Sequence, residues 1–414
     1  MTAAARAAPG SAPQRSGVPD RPIRVATVVT RLEGGAGVLA LRGAQVIGRE
    51  SFQPTIVTGS GDGLLAEAAE SGIEVVLEPA LRAPIALRTD LLALRRLDLL
   101  FRQRAFQVVH THCAKAGTVG RMAARRAGVP WIVHTFHGFP FHQFQSAPRR
   151  NAYVSIERHL GRFTDLALCV GSGVAAEAVA RELIAPDRVR TIGVIVGGPE
   201  RIRASMAARD PVARRRARAA LGLPVTATVV GAVGRLTYQK APEDFVDAIA
   251  ELGRPDVIGI WIGGGDLAER VARRASGGGA RQPARIMLAG ERTDILDVLP
   301  ALDVFVLPSR YEGLPTAIVE AMICGVPVVA TSVNAVPDLV LPGSTGLLVP
   351  PRRPRLLASA IRSLLDSPEA AARMAETAHA RVADRYGQQD LRDALVAAYV
   401  CAASADAVRE NVPA

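Results

Sequence analysis

The run Val304-Phe305-Val306-Leu307-Pro308-Ser309-Arg310-Tyr311-Glu312-Gly313-Leu314-Pro315-Thr316-Ala317-Ile318-Val319-Glu320-Ala321-Met322 opens with continuously apolar residues, as a strand buried on both faces does. A polar loop follows. Pro315 suits the first position of a helix, which must end before Gly325 and Pro327. A strand feeding a helix through a short loop is one unit of a parallel sheet. Amide groups of residues 313 to 316 would then point out of a helix N-terminus, where an anion can dock. Glu320 lies one turn further in, on the face of Thr316.

The same alternation extends outward from this run. Strands are expected at 228–233, 257–262, 285–289 and 328–331, with a helix over 243–252 and helical tails over 354–365 and 367–403. Upstream, strands are expected at 23–29, 53–58, 74–77, 108–110, 131–135 and 166–170. Helices lie over 85–104 and 117–127, and Gly34-Gly35-Ala36-Gly37 leads into another. The pattern breaks over 199–222, where the arginine-dense segment from Asp210 to Arg216 reads as a connection with a solvated helix face. The fold class is therefore α/β, with two Rossmann-like, doubly wound domains over 21–198 and 223–385. A disordered tail is expected over 1–20, and a last helix over 386–414. Ligands of such sheets bind in the crevice at the carboxyl ends of the strands.

The net charge is +11, which favours anionic partners. Yet the arginines are dispersed and no aromatic residues interleave with them, which argues against nucleic acid. Cys113, Cys169, Cys324 and Cys401 are scattered, as in a reducing compartment. No apolar run is long enough to span a bilayer and no signal peptide is evident, so a cytoplasmic location is expected. Of 50 Lys and Arg residues only Lys115 and Lys240 are lysine. Lysine is a compact point charge where arginine is a planar fork. Lys240 falls in Gly234-Arg235-Leu236-Thr237-Tyr238-Gln239-Lys240, directly after a strand, where a phosphate would dock. Arg235, Lys240 and a helix N-terminus together suit a diphosphate, and would stabilise charge developing on it as it departs. Glu320 would reach past the phosphates to a ribose diol. Glu312 would hold hydroxyls on the other side.

The pairing of Gly234-Arg235 and Lys240 with Glu312 and Glu320, seven residues between them, resembles glycosyltransferase family 4, whose members are retaining, nucleotide-sugar-dependent enzymes of the GT-B fold. The resemblance continues through Gly290-Glu291-Arg292, His110-Thr111-His112-Cys113-Ala114-Lys115 and His137-Gly138-Phe139-Pro140-Phe141. It implies that Arg235 and Lys240 bind the donor diphosphate and that Glu320 binds the ribose. Glu312, with the amides of Gly313 and Leu314, would contact the transferred sugar and its phosphate. His137 would sit at the sugar's reacting face, and Gly34-Gly35 would approach the diphosphate from the first domain. Arg292 would lie near the base, and Lys115 is a candidate on the acceptor side. The last helix would cross back onto the first domain. Lys240 is followed by Ala241-Pro242, where glycine is commoner, and the stretch 191–198 lacks the usual Asn-Gly turn.

Five of the seven histidines, His110, His112, His134, His137 and His142, lie close together in sequence, which also allows a zinc site. No carboxylate cluster accompanies them, and His134 reads as a packed strand residue. With no Asp-x-Asp pair to chelate a metal, Arg235 and Lys240 would supply the charge instead. The helix candidates 149–163 and 85–104 are basic and amphipathic. They could touch an anionic membrane face, or bury Val154, Ile156 and Leu160 and leave their arginines in water. The expected activity is transfer of a hexosyl or N-acetylhexosaminyl unit from a UDP-sugar to a hydroxyl acceptor: a cell-surface glycan, a lipid-linked intermediate or a secondary metabolite. No cofactor or metal is expected beyond the nucleotide-sugar. A GDP-sugar transferase, a GT-B nucleotide-sugar epimerase and a non-catalytic basic binding protein remain open.

Overall fold

The computed structural model describes residues 21–82, 84–193, 195–196, 199–277, 285–383 and 385–410. The expected tail over 1–20 lies outside them. Strands β1 (Ile23–Val29), β2 (Phe52–Thr58), β3 (Glu74–Leu77), β4 (Val108–His112), β5 (Trp131–Phe136), β6 (Leu166–Cys169) and β7 (Val189–Thr191) form one sheet. Strands β8 (Thr228–Val233), β9 (Val257–Ile262), β10 (Ile286–Leu288), β11 (Val304–Leu307), β12 (Val328–Thr331) and β13 (Leu347–Val349) form a second. Their orders are β3-β2-β1-β4-β5-β6-β7 and β10-β9-β8-β11-β12-β13, with parallel pairing throughout. Each order reverses once, between β1 and β4 and between β8 and β11. Those switch points open crevices at the carboxyl ends of the strands, and the loops flagged by sequence follow β8 and β11.

Continuous burial of β9 and β11 accounts for their unbroken apolar runs, since helices cover both faces of the sheet; β4 and β12 are as fully buried but carry His110, Thr111, His112 and Thr331. The three-residue strands β7 and β13 were not anticipated; both sit at sheet edges, where few residues are needed to pair. The expected helix over 367–403 is two helices, Pro368–Ala383 and Gln388–Glu410, separated by a turn in which Tyr386 takes φ 59°.

The arginine-dense segment departs from the expectation of a solvated connection. It forms the helix Pro211–Ala220, capped by the Asp210 carboxylate on the amides of Val212 and Ala213. Arg214 and Arg218, one turn apart, both reach Asp303 at the foot of β11, and Arg218 is 1% exposed. The segment is part of the second domain. The helix Gln388–Glu410 packs against the first domain, where the Trp131 indole donates to the Ala398 carbonyl at 2.9 Å and Tyr399 meets the edge of Phe52.

Candidate active site

The loop after β8 is pressed against the loop after β9. The Trp261 indole donates to the Gly234 carbonyl at 2.7 Å, and a Cβ on Gly263 would stand 2.3 Å from that same oxygen. Only glycine allows this approach, with φ 133° at Gly263. Arg235 is thereby held in an exposed position and makes no ion pair among the described residues. Lys240 turns inward, and its Nζ donates to Glu312 at 2.6 Å; the two side chains are 17% and 5% exposed. Gln239 adds bonds to the Tyr311 carbonyl and the second Glu312 oxygen at 3.1 and 3.4 Å. Ala241 takes φ 51° and ψ 52°, the left-handed region, which explains why glycine suits this position better. Pro242 then opens the following helix.

After β11 the helix runs Thr316–Ile323 with Pro315 at its N-cap, one residue before the expected position. Glu320 sits one turn into this helix, beside Lys240. Burial raises its carboxyl to about 7, and the Lys240 charge offsets that only in part. A carboxyl poised between its two forms near neutrality can accept from a hydroxyl or, protonated, donate to one. Asn334, after β12, was not foreseen. Held at φ 44°, it accepts from the Glu312 amide at 2.9 Å and donates to Glu177 of the first domain at 3.3 Å. Asparagine tolerates this backbone conformation, but nothing in the linear sequence marks which asparagine adopts it.

The first domain meets these loops at the carboxyl end of β5. A Cβ on Gly313 would lie 1.9 Å from the His137 carbonyl oxygen, so this glycine is fixed by contact between two backbones. His142 stacks on Tyr311 with centroids 4.3 Å apart, and Phe144 meets Tyr238 edge-on. Ser172 binds Asp338, its amide donating at 2.5 Å. Leu314 is buried beside Gly171. A cavity of about 350 Å³ lies at this junction, lined in part by Phe139, Phe141, Arg310, Glu312 and Asn334.

The histidines form a buried chain. His137 Nε2 pairs with His112 Nδ1 at 2.9 Å, His112 stacks on His110 at 4.3 Å, and His110 bonds Tyr399 and Thr135 at 2.6 and 2.7 Å. Burial lowers His137 to about 4 and His110 to about 3, and takes His112 and His134 well below the ordinary range. All four are neutral near pH 7. His134 is buried and bonded to Thr111 at 2.8 Å, a packing residue as read from sequence. Among the described residues no three His, Cys, Asp or Glu side chains converge to hold a metal ion.

The remaining candidates are placed differently. Gly34 and Gly35 are not a loop but the first turn of the helix Gly34–Val46, with open space where a Cβ would stand. Arg292 forms a two-bond pair with Asp294 at 2.8 and 2.6 Å. Lys115 does not share the cleft with Lys240; it binds both oxygens of Asp90 at 2.6 and 2.7 Å in the wall of a separate cavity. The site thus draws together Lys240, Glu312, Gly313, His137 and Glu320, with Arg235 at its mouth.

Residues 213–381 match the model for glycosyl transferases group 1, and residues 33–194 match that for glycosyltransferase family 4. The chain is 29% identical over 322 residues to a UDP-Gal:alpha-D-GlcNAc-diphosphoundecaprenol alpha-1,3-galactosyltransferase of Escherichia coli, covering 77% of this chain and 81% of that one. It is 32% identical over 314 residues to a D-inositol 3-phosphate glycosyltransferase of Saccharomonospora viridis, covering 71% and 70%. The crystal structure of Anabaena Alr3699/HepE in complex with UDP and glucose superposes with a TM-score of 0.76 at 20% identity, over 90% of this chain and 98% of that one. The expected two-domain GT-B fold is therefore confirmed, and the chain belongs to the group 1 glycosyltransferases of glycosyltransferase family 4.

Proposed function

We propose that this glycosyltransferase moves a hexosyl or N-acetylhexosaminyl unit from a UDP-sugar to a hydroxyl of a lipid-linked acceptor, with retention and without a metal. The observation that carries the donor reading is the Lys240–Glu312 pair at the β8/β11 switch point, with Arg235, which makes no ion pair among the described residues, beside it and Glu320 behind. A diphosphate arriving there would compete with Glu312 for Lys240. The exchange would leave the Glu312 carboxylate free for sugar hydroxyls while Lys240 and Arg235 neutralise the leaving group. His137 is neutral at working pH and so acts as a hydrogen-bonding group at the sugar, not as a fixed cation. The departing phosphate would accept the acceptor's proton on the same face, which gives retention. UDP is favoured by the names of the galactosyltransferase relative and the Anabaena structure, and the lipid-linked acceptor by the former.

A panel of UDP- and GDP-sugars scored by thermal shift tests the reading. A donor at one hundred times its dissociation constant should stabilise the protein by about 2.7 kcal/mol. A shift confined to GDP-sugars would replace the UDP assignment. No shift with any nucleotide or nucleotide-sugar, together with blank direct binding, would remove the donor site.

A further inference from the structure

The basic helices noted in the sequence are not used by the donor site, and one of their apolar residues lies where packing did not require it. Ile156 was expected to be buried with Val154 and Leu160. It stands two positions after Val154, about 200° further round the helix Ala147–Gly161, and it is 44% exposed. It lines a cavity of about 590 Å³ between this helix and the helices Leu87–Arg104 and Ala114–Ala127. Leu87, Leu91, Leu94, Val119 and Met122 supply most of the other walls. Leu87 is 85% and Met122 39% exposed, so large apolar groups stand open to solvent around a concave site.

The charged groups of this cavity are already spoken for. Asp90 is paired with Lys115, and Glu157 with the buried Arg121 at 2.6 Å. The cavity therefore has a neutral, apolar lining with one polar end. That end faces the active site: Lys115 lies three residues after His112 in the chain and Pro140 three after His137, and both line the cavity. Phe139 and Phe141, on either side of Pro140, line the interdomain cavity instead, so one short turn is the shared wall. From Lys115 the apolar wall follows its helix two turns to Met122, about 10 Å. Further along their helices from the Lys115 end stand Arg95 and Arg125. Both are exposed and make no ion pair among the described residues. Those cations suit the anionic surface in which a lipid resides.

We infer that this cavity holds the hydrocarbon chain of the lipid-linked acceptor, with its reacting end at the Lys115–Pro140 side and its tail leaving past Met122 and Ile156. The inference rests on the acceptor reading above and assigns its hydrophobic half to named residues. Farnesyl phosphate and dimethylallyl phosphate share a head and differ in chain, so they serve as probes on the full chain, with inorganic phosphate as the head alone. Burial of the longer chain should make farnesyl phosphate bind at least about tenfold tighter than dimethylallyl phosphate. Met122→Glu and Ile156→Glu, at partly exposed positions the fold tolerates, should abolish that difference and leave UDP binding unchanged. Equal affinity for the two probes, or a difference that survives both substitutions, would overturn the assignment. So would flotation with phosphatidylglycerol vesicles that both variants lose without any chain-length effect, which would make the face a membrane surface. Self-association lost in the variants, again without that effect, would make it a contact between copies and equally overturn it. UDP binding is read on the same samples: its absence removes the donor reading, whereas its presence without chain-length dependence removes only the lipid cavity.

Discussion

Replacing Glu320 by Gln should raise stability and lower donor affinity together, and the pH dependence separates the two effects. Burial lifts this carboxyl from the ordinary 4.5 to about 7. The native state therefore keeps a proton that the unfolded chain gives up. Below the ordinary value both states are protonated, and the buried carboxyl costs nothing through ionisation. Between there and about pH 7 the unfolded state ionises first, and stability falls. Above about 7 the full cost is present, up to ~3 kcal/mol, and less in practice because solvent partly reaches the group. Glutamine resembles the protonated form. Glu320→Gln should match the wild type near pH 4 and melt several degrees higher at pH 8. UDP-glucose, whose diphosphate does not titrate in this range, should bind the variant about tenfold or more weakly at pH 8, the cost of charged hydrogen bonds to the ribose. Differential scanning calorimetry across this pH range, with and without UDP-glucose, reads both. A variant that melts at or below the wild type at pH 8, or by a margin independent of pH, would refute the reasoning.

Three further perturbations follow from the same geometry. Gly313→Ala drives a Cβ into the His137 carbonyl, so it should cost about 1–3 kcal/mol by melting and lower kcat/KM by prising the domains apart at the site; an unchanged kcat/KM would contradict this. Lys240→Met leaves the buried Glu312 unpaired and should destabilise by about 3 kcal/mol, whereas Lys240→Met with Glu312→Leu should recover most of that stability and no activity; denaturant titration of both checks it. The buried histidines are neutral in the native state, so their contribution is complete above the ordinary value of 6.5 and is lost as pH falls towards about 4 for His137 and 3 for His110. Four such groups outweigh the opposite trend of Glu320, and the melting temperature should drop steadily from pH 6.5 to 4.5; a flat profile would show them solvated.

Much of the fold was legible because a buried parallel strand is a short apolar run whatever its neighbours do. Val304–Leu307 and Val257–Ile262 were read at their observed bounds for that reason. The edge strands Val189–Thr191 and Leu347–Val349 carry too little apolar pattern to be seen alone. The placement of Arg235, Lys240 and Glu312 in loops, and of Glu320 on the helix that follows, was legible because they stand at fixed spacing from strand ends. What escaped depends on partners far apart in the chain. Arg218 reads as a surface residue until Asp303 is placed beside it, and Lys115 as an acceptor-side candidate until Asp90 is. The bond from Tyr399 to His110 joins the last helix to the histidine chain behind His137, and no local pattern announces it. Ile156 and Leu160, one turn apart on one helix face, differ in exposure only because of what packs over each, which the sequence does not carry.

The donor site is tested most directly by titrating UDP into the wild type and Arg235→Ala by calorimetry. Arg235 is exposed and makes no ion pair among the described residues, so its removal leaves the fold undisturbed and any loss belongs to the ligand. The wild type should bind one UDP, and the variant should bind it about tenfold or more weakly, as expected for a charged hydrogen bond to phosphate. Equal affinity in the two proteins, or no binding by the wild type, would contradict a diphosphate site at the β8/β11 switch point.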